Sequence, residues 1–376
     1  MSGVSQFPPP LPEAPPTFSG NRREFFRLVA RGAALELVTA GFYRFWLITD
    51  VRRHLWSNTL IDGDGAEYTG RGRELLVGFL FALAILAPFW LVYFLMGIEA
   101  ERYRAFASTP LVLALYIFGQ FAIYRARRYR LTRTVWRGVR FWMDGSGVAY
   151  AMRAIGWGVL MVLTLGLILP WREAALERYK MQHSHYGDLQ GRFEGKGWDF
   201  FRQVWWLWPA APFLIILFPV IPFIYAEFKV IEWRWWISGI RFGDVRLEST
   251  LRARALHGLY WKAIGWFVLL AAILAAFFAL CGFLIAALGD ALGHPVDPDM
   301  LSANVPFLIA TVSGYFVLLL ALNVVMRLYL QRDVWARVSA SIAVHNIDAA
   351  ANVTARGDLA GALGEGFADG LDVAGF

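Results

Sequence analysis

The chain has 376 residues, 58% of them hydrophobic and 17% charged, with a mean hydropathy of +0.47, too apolar for a soluble protein of this length to cover its own surface. Composition therefore points to a polytopic membrane protein, and the 17 Trp and 14 Tyr suit the aromatic belts at the two membrane interfaces. The formal charge of +7 lies beside apolar segments rather than in one exposed tract, so anionic lipid headgroups are the expected counterions and nucleic acid is not.

A nine-residue phrase occurs twice, Phe18-Ser-Gly20-Asn-Arg-Arg-Glu24-Phe25-Phe26 and Phe193-Glu-Gly195-Lys-Gly-Trp-Asp199-Phe200-Phe201, each time ahead of an apolar segment, a basic aromatic stretch and two long apolar segments. The expected fold is an all-α polytopic membrane protein with two parallel internal repeats and a small juxtamembrane β element. Its parts are a disordered Pro-rich N-terminus without a signal peptide (1–17), a first repeat (18–150), a linking apolar segment with its basic connector (151–192), a second repeat (193–355) and an acidic amphipathic tail (356–376). Apolar segments are read at 25–48, 75–98, 111–124, 155–171, 204–226, 261–288 and 305–330. The second and third form one hairpin, the sixth and seventh another, and Pro209, Pro212, Pro219 and Pro222 break the fifth.

Stretches 49–74, 125–153 and 227–257 carry 4, 8 and 6 Lys/Arg, which places them and the C-terminus in the cytoplasm. The loop 289–304, with Asp290, Asp297 and Asp299 and no Lys or Arg, then faces outward. Connector 172–203 is a difficulty, because it holds 6 Lys/Arg yet lies outside if every segment crosses once. Two solutions stand: seven spans, or first, fourth and fifth segments that enter and leave by one face. In each connector a basic aromatic helix precedes a short alternating stretch with a turn glycine, so four or five strands pair into a sheet joined by the stretch 340–353.

Ionisable or polar groups on apolar helices are the candidate substrate or ion pathway: Arg31, Glu36, Arg44, Gln120 and Asn323. Glu36 is the sharpest, with Arg31 and Arg44 close enough in sequence to form a structural ion pair. Candidate headgroup contacts are Arg52, Arg53, Arg127, Arg128, Arg130 and Arg234. No metal site is expected: His183-x-His185 lacks a third ligand at helical spacing, and Asp62-Gly-Asp-Gly65 has Arg73 where a calcium loop closes on an acid, so it reads as a turn. The lone Cys281 offers neither an intrachain disulfide nor a cysteine metal site. No nucleotide-binding, hydrolase or metalloprotease motif occurs, so the chain reads as no enzyme and without cofactor.

The doubled phrase, the Thr39-Ala-Gly41-Phe-Tyr43-Arg-Phe-Trp46 and Thr164-Leu-Gly166 to Pro170-Trp171 breaks, the Arg52-Arg-His-Leu-Trp56-Ser-Asn-Thr59 stretch and the Gly361 to Phe376 tail resemble the YjgN-like bacterial inner-membrane family, a domain of unknown function. The resemblance spans about residues 18–376 and implies a multi-pass inner-membrane protein with no assigned reaction. It departs from the family pattern in Arg31 and Glu36 and in Ile237-Ser-Gly239, which replaces a second Asn-Thr pair. Two functions follow: transport or handling of a lipid or small solute between the two repeats, or a non-catalytic scaffold or regulatory partner of another membrane protein. Family resemblance makes a membrane-associated metallopeptidase a candidate partner; oligomeric state is left open.

Overall fold

The computed structural model describes residues 15–100, 109–210, 213, 220–291, 293 and 305–361. Most of the Pro-rich lead-in, Pro212 and Pro219, Asp297 and Asp299, and the acidic tail beyond residue 361 lie outside the described residues. In chain order the elements are β1 (Thr17–Phe18), α1 (Arg22–Val38), α2 (Arg44–Ser57), β2 (Thr59–Ile61), β3 (Asp64–Gly65), β4 (Glu67–Tyr68), α3 (Gly72–Ala100) and α4 (Thr109–Thr132). There follow β5 (Thr134–Trp136), β6 (Val139–Met143), α5 (Gly147–Leu163), α6 (Leu169–Gln182), β7 (Ser184–Tyr186), β8 (Leu189–Phe193), α7 (Gly197–Val204), α8 (Leu207–Ala210) and α9 (Ile221–Gly239). The chain continues with β9 (Ile240–Phe242), β10 (Val245–Ser249), α10 (Ala253–Ala291), α11 (Val305–Met326), a π-helical stretch (Arg327–Asp333), α12 (Val334–Ser339) and β11 (Ile342–His345).

Two compact units result. The first comprises residues 1–20, 45–253 and 336–376 and holds every strand. The second comprises residues 21–44 and 254–335, built from α1, α10, α11 and the π-helical stretch.

In the first unit the eight strands β4 to β11 form one antiparallel sheet in sequential order, and β1, β2 and β3 form a separate three-stranded one. The β content thus exceeds the small element expected, and the protein is not all-α. Connectors α4, α6 and α9 each run into a complete two-strand hairpin of this sheet, and β4 and β11 extend its edges. Tight turns fix the register. Asp62-Gly63 and Arg137-Gly138 have φ of 52°, 82°, 48° and 75°, the doubly positive pair that matches strand twist in a two-residue hairpin. The turn reading of Asp62 to Gly65 holds, and its carboxylates serve Arg137, whose Nη2 and Nε donate to Asp62 and Asp64 at 2.6 Å each. Under one face of the sheet lies a core of Trp136, Tyr186, Val245, Val344 and Ile347. A second core joins Phe193 and Ile240 to Phe200, Val204 and Trp235 of the helices.

Between them the two sheets gather the ends of the helical excursions among the described residues. Phe18 is paired with Thr59, Tyr68 with Thr134, Met143 with Ser184, Phe193 with Ile240 and Ser249 with Ile342. In each case the next amide donates across the gap: Ser19 to Asn58, Thr69 to Arg133, Asp144 to His183, Glu194 to Gly239 and Thr250 to Ser341, at 2.8–3.0 Å. Neighbouring strands stand about 4.8 Å apart, so a chain that leaves one strand and returns to the next has come back to the face it left. Two excursions contain the helices long and apolar enough to cross a membrane, 72–94, 253–291 and 305–339. By contrast α1 and α5, at 17 residues each, reach only about 25 Å, short of a hydrocarbon core of about 30 Å. Both end in the same device. Thr39 and Thr164 hydroxyls donate to the carbonyls of Leu35 and Leu160, and the next two residues, Ala40-Gly41 and Leu165-Gly166, adopt positive φ. Of the two topologies open to sequence, the return of both chain ends to neighbouring strands is the arrangement expected of re-entrant first, fourth and fifth segments.

The closure is open to measurement. In a Cys281→Ala background, single cysteines at the exposed positions Ser57 and Arg178 are expected to react with an impermeant maleimide from the same side of the membrane, and opposite-side labelling would refute the returning excursions.

Candidate functional site in the second unit

The face of α1 made by Phe26, Ala30, Ala33, Ala34 and Leu37 recurs at helical spacing. Its three alanines carry almost no side-chain volume, and opposite them stand Leu320, Ala321, Val324 and Leu328 of α11 and the adjoining π-helical stretch. Between them, with Leu270 of α10, lies an open groove of about 480 Å³, in the range of small-molecule sites. Its polar fittings sit together. Trp266 Nε1 donates to the Tyr329 hydroxyl at 3.2 Å, and the Arg22 guanidinium lies 4.8 Å over the Tyr329 ring while its Nε donates to Asp333 at 3.1 Å. Lys262, one turn before Trp266, is close enough for its charge to act on Tyr329. An apolar trough with an indole, a phenol and two cations at one end suits an amphiphile with an acidic head.

Beside the groove, on the face of α1 that carries Phe25, Val29 and Gly32, Glu36 is 7% exposed. Two guanidiniums supply its countercharge, Arg327 and Arg44, and Arg327 is steadied by donating Nε to Asn323 Oδ1 at 2.7 Å. Glu36 Oε1 accepts no hydrogen bond among the described residues. The Thr39-Ala40-Gly41 turn makes this possible: Gly41 N–H caps the Glu36 carbonyl at 2.7 Å, and within three more residues the chain presents Arg44 to the carboxylate.

Of the predicted pathway residues, Glu36, Arg44 and Asn323 come together in the second unit, and Arg31 lies exposed on α1. Gln120 is buried on α4 of the first unit. Arg327, the larger of Glu36's two countercharges, escaped sequence reasoning because an arginine at the end of an apolar segment looks like any positive-inside anchor. The predicted headgroup arginines divide. Arg53 and Arg234 are exposed, Arg128 and Arg130 half-buried, and Arg52 is buried with Nη1 donating to Tyr68. Arg127 donates to Glu177 Oε1 at 2.6 Å, and Lys180 binds the other oxygen at 2.6 Å. Burial alone raises the pKa of the Glu177 carboxyl, but Arg127 and Lys180 outweigh it and pull it down to about 2. His183 Nδ1 contacts the Tyr179 carbonyl at 2.8 Å and His185 stacks on Trp142 at 4.1 Å.

The chain matches the family model described as bacterial protein of unknown function (DUF898) over residues 13–232. It is also similar to the inner membrane protein YjgN of Escherichia coli O157:H7, 24% identical over 156 residues. That match covers 40% of this chain and 36% of the relative, so the chain spans little more than a third of the curated protein it matches. No solved structure matches. The family resemblance read from the motifs holds.

Two outcomes check the charge assignments. Arg327→Ala is expected to lower stability by about 1 kcal/mol, since it leaves Arg44 alone to balance Glu36, and Glu36→Gln in the same chain to restore part of it. Additive losses in thermal melts would dissolve the pair. For Glu177, whose folded pKa lies below its ordinary 4.5, the stabilisation is present above pH 4.5 and is lost as pH falls towards 2. The melting temperature of wild type minus that of Glu177→Gln is therefore expected to shrink over that window, and a constant difference would contradict it.

Proposed function

This chain belongs to the DUF898 family of bacterial proteins of unknown function, and from that premise we propose that it is a multi-pass inner-membrane protein that handles an anionic phospholipid, without catalysing a reaction. The observation that carries this reading is the groove in the second unit, where an apolar trough ends at Trp266, Tyr329, Arg22 and Lys262. An acyl chain gains by filling the trough, at about 25 cal/mol per Å² of apolar surface covered. The phosphate meets the cations where indole and phenol mark the interface. A small polar solute fits less well, since among the described residues that line the trough itself the polar groups are the indole and the phenol, which bond each other.

The surrounding architecture supports the same assignment. Three described helices have the length and apolarity of membrane spans. The positive-inside rule puts the sheet, the basic connectors and the C-terminus on the cytoplasmic side. We further read the chain as two parallel repeats. The doubled phrase supports this: its two copies open α1 and α7 at corresponding places, each straight after a strand, with Gly20 against the Phe18 ring and Gly195 against the Phe193 ring.

The test is photo-crosslinking with a phosphatidylglycerol carrying a diazirine near the end of its acyl chain. Ala34→Trp, which fills the trough, is expected to cut labelling by about tenfold, the cost of losing roughly 1.4 kcal/mol of binding, whereas Arg31→Gln on the exposed side of α1 leaves it unchanged. Labelling insensitive to Ala34→Trp would remove the lipid role and favour the scaffold reading, with a membrane metallopeptidase as its candidate partner.

A further inference from the structure

The alternation of β8, β9, β10 and β11 buries Phe193, Ile240, Val245 and Val344 on one face of the sheet. On the other face it sets a row of cations. The register pairs Arg192 with Arg241, Arg241 with Arg246, and Arg246 with His345, so three arginines and a histidine stand directly across four neighbouring strands. Like charges opposite one another in a sheet repel, and here the register leaves no freedom to stagger them, because a one-residue slip would turn the core face outward. Flanking carboxylates offset part of the charge. Glu194 Oε2 lies 3.2 Å from Arg241 Nε, and Glu248 Oε2 lies 3.4 Å from His345 Nε2, which leaves three arginines against two acids before the histidine is counted.

Over the Arg241, Arg246 and His345 part of this row opens a cavity of about 370 Å³, also bordered by Ser238, Leu247 and Glu248, with Arg192 on the strand next to Arg241. Arg241 at its base is held in place: Nη1 donates to the carbonyls of Ser238 and Ile240 at 2.9 Å each and to that of Leu247 at 3.3 Å. A guanidinium immobilised by its own backbone presents its donors without losing side-chain freedom on binding, while Arg192 and Arg246 are exposed and free to close from the sides.

We propose that this face of the sheet is a second binding site, for a phosphate group, with Arg241 as the fixed donor and Arg192, Arg246 and His345 as the closing ones. Fork-shaped guanidinium donors match phosphate oxygens, and the bound anion relieves the repulsion along the row. The site is independent of the lipid groove, which lies in the other unit. Its ligand is either a free phosphate compound or the phosphate of a lipid headgroup.

The experiment uses the full-length protein in phosphatidylcholine nanodiscs, titrated calorimetrically with inorganic phosphate at low ionic strength. In parallel, native mass spectrometry measures retained lipid after reconstitution with phosphatidylglycerol. Saturable phosphate binding, weakened about tenfold by Arg246→Gln and by Arg192→Gln and untouched by Ala34→Trp, supports the site with a soluble ligand. No phosphate binding, but phosphatidylglycerol retention that falls in the same two variants and recovers in Arg246→Lys, supports it with a headgroup. Absence of both, or binding indifferent to the two substitutions, overturns the proposal and leaves a solvated row. Both replaced side chains are exposed, so circular dichroism melts are expected to stay within a few degrees of wild type.

Discussion

Backbone hydrogen bonding between strands at the start and end of each helical excursion is the constraint on which the first unit rests. Short strands of two to five residues are weak individually, and an isolated hairpin is marginal in water. Eight of them in sequential antiparallel order share their edges, four of their pairings also tie off a helical excursion, and β1 with β2 of the separate sheet ties off a fifth. The closing amide bonds, from Ser19 to Asn58 through Thr250 to Ser341, repeat the same step five times. Such a scaffold fixes where the helices begin and end with bonds that are independent of which apolar residues the helices carry.

Charge is handled differently in the two units. In the first, Glu177 is enclosed by Arg127 and Lys180, both of its oxygens are used, and its carboxylate is stabilised despite burial. In the second, Glu36 is equally withdrawn from water but keeps an oxygen without a hydrogen bond among the described residues. A buried carboxylate with both oxygens bonded is a structural fastening, whereas Glu36 is balanced by the charges of Arg327 and Arg44. Groove and carboxylate occupy adjacent faces of α1.

Much of the local structure was legible in advance. The turn glycines, the basic aromatic helices and the threonine-glycine breaks each rest on a few adjacent residues, and Gly63, Gly138, Gly41 and Gly166 all occupy positive φ as those patterns require. Glu36 was conspicuous because a carboxylate on an apolar helix is costly. Arg327 was not, since it ends an apolar segment in the manner of an ordinary interfacial anchor. The groove was hidden for a related reason: in a chain with 58% hydrophobic residues a stripe of alanines is unremarkable until a facing helix fails to fill it.

Sequence by itself determined the membrane class, the positions of the long apolar helices, the turns and the presence of strands in the connectors, because hydropathy, periodicity and turn chemistry are properties of contiguous residues. Tertiary structure alone decided that eight strands form one sheet, that the helical excursions begin and end on neighbouring strands, and that Arg192, Arg241, Arg246 and His345 share a row. Strand partners are chosen by backbone amides and carbonyls that are alike in every residue, so the chain spells out that a strand exists but not which distant strand it meets.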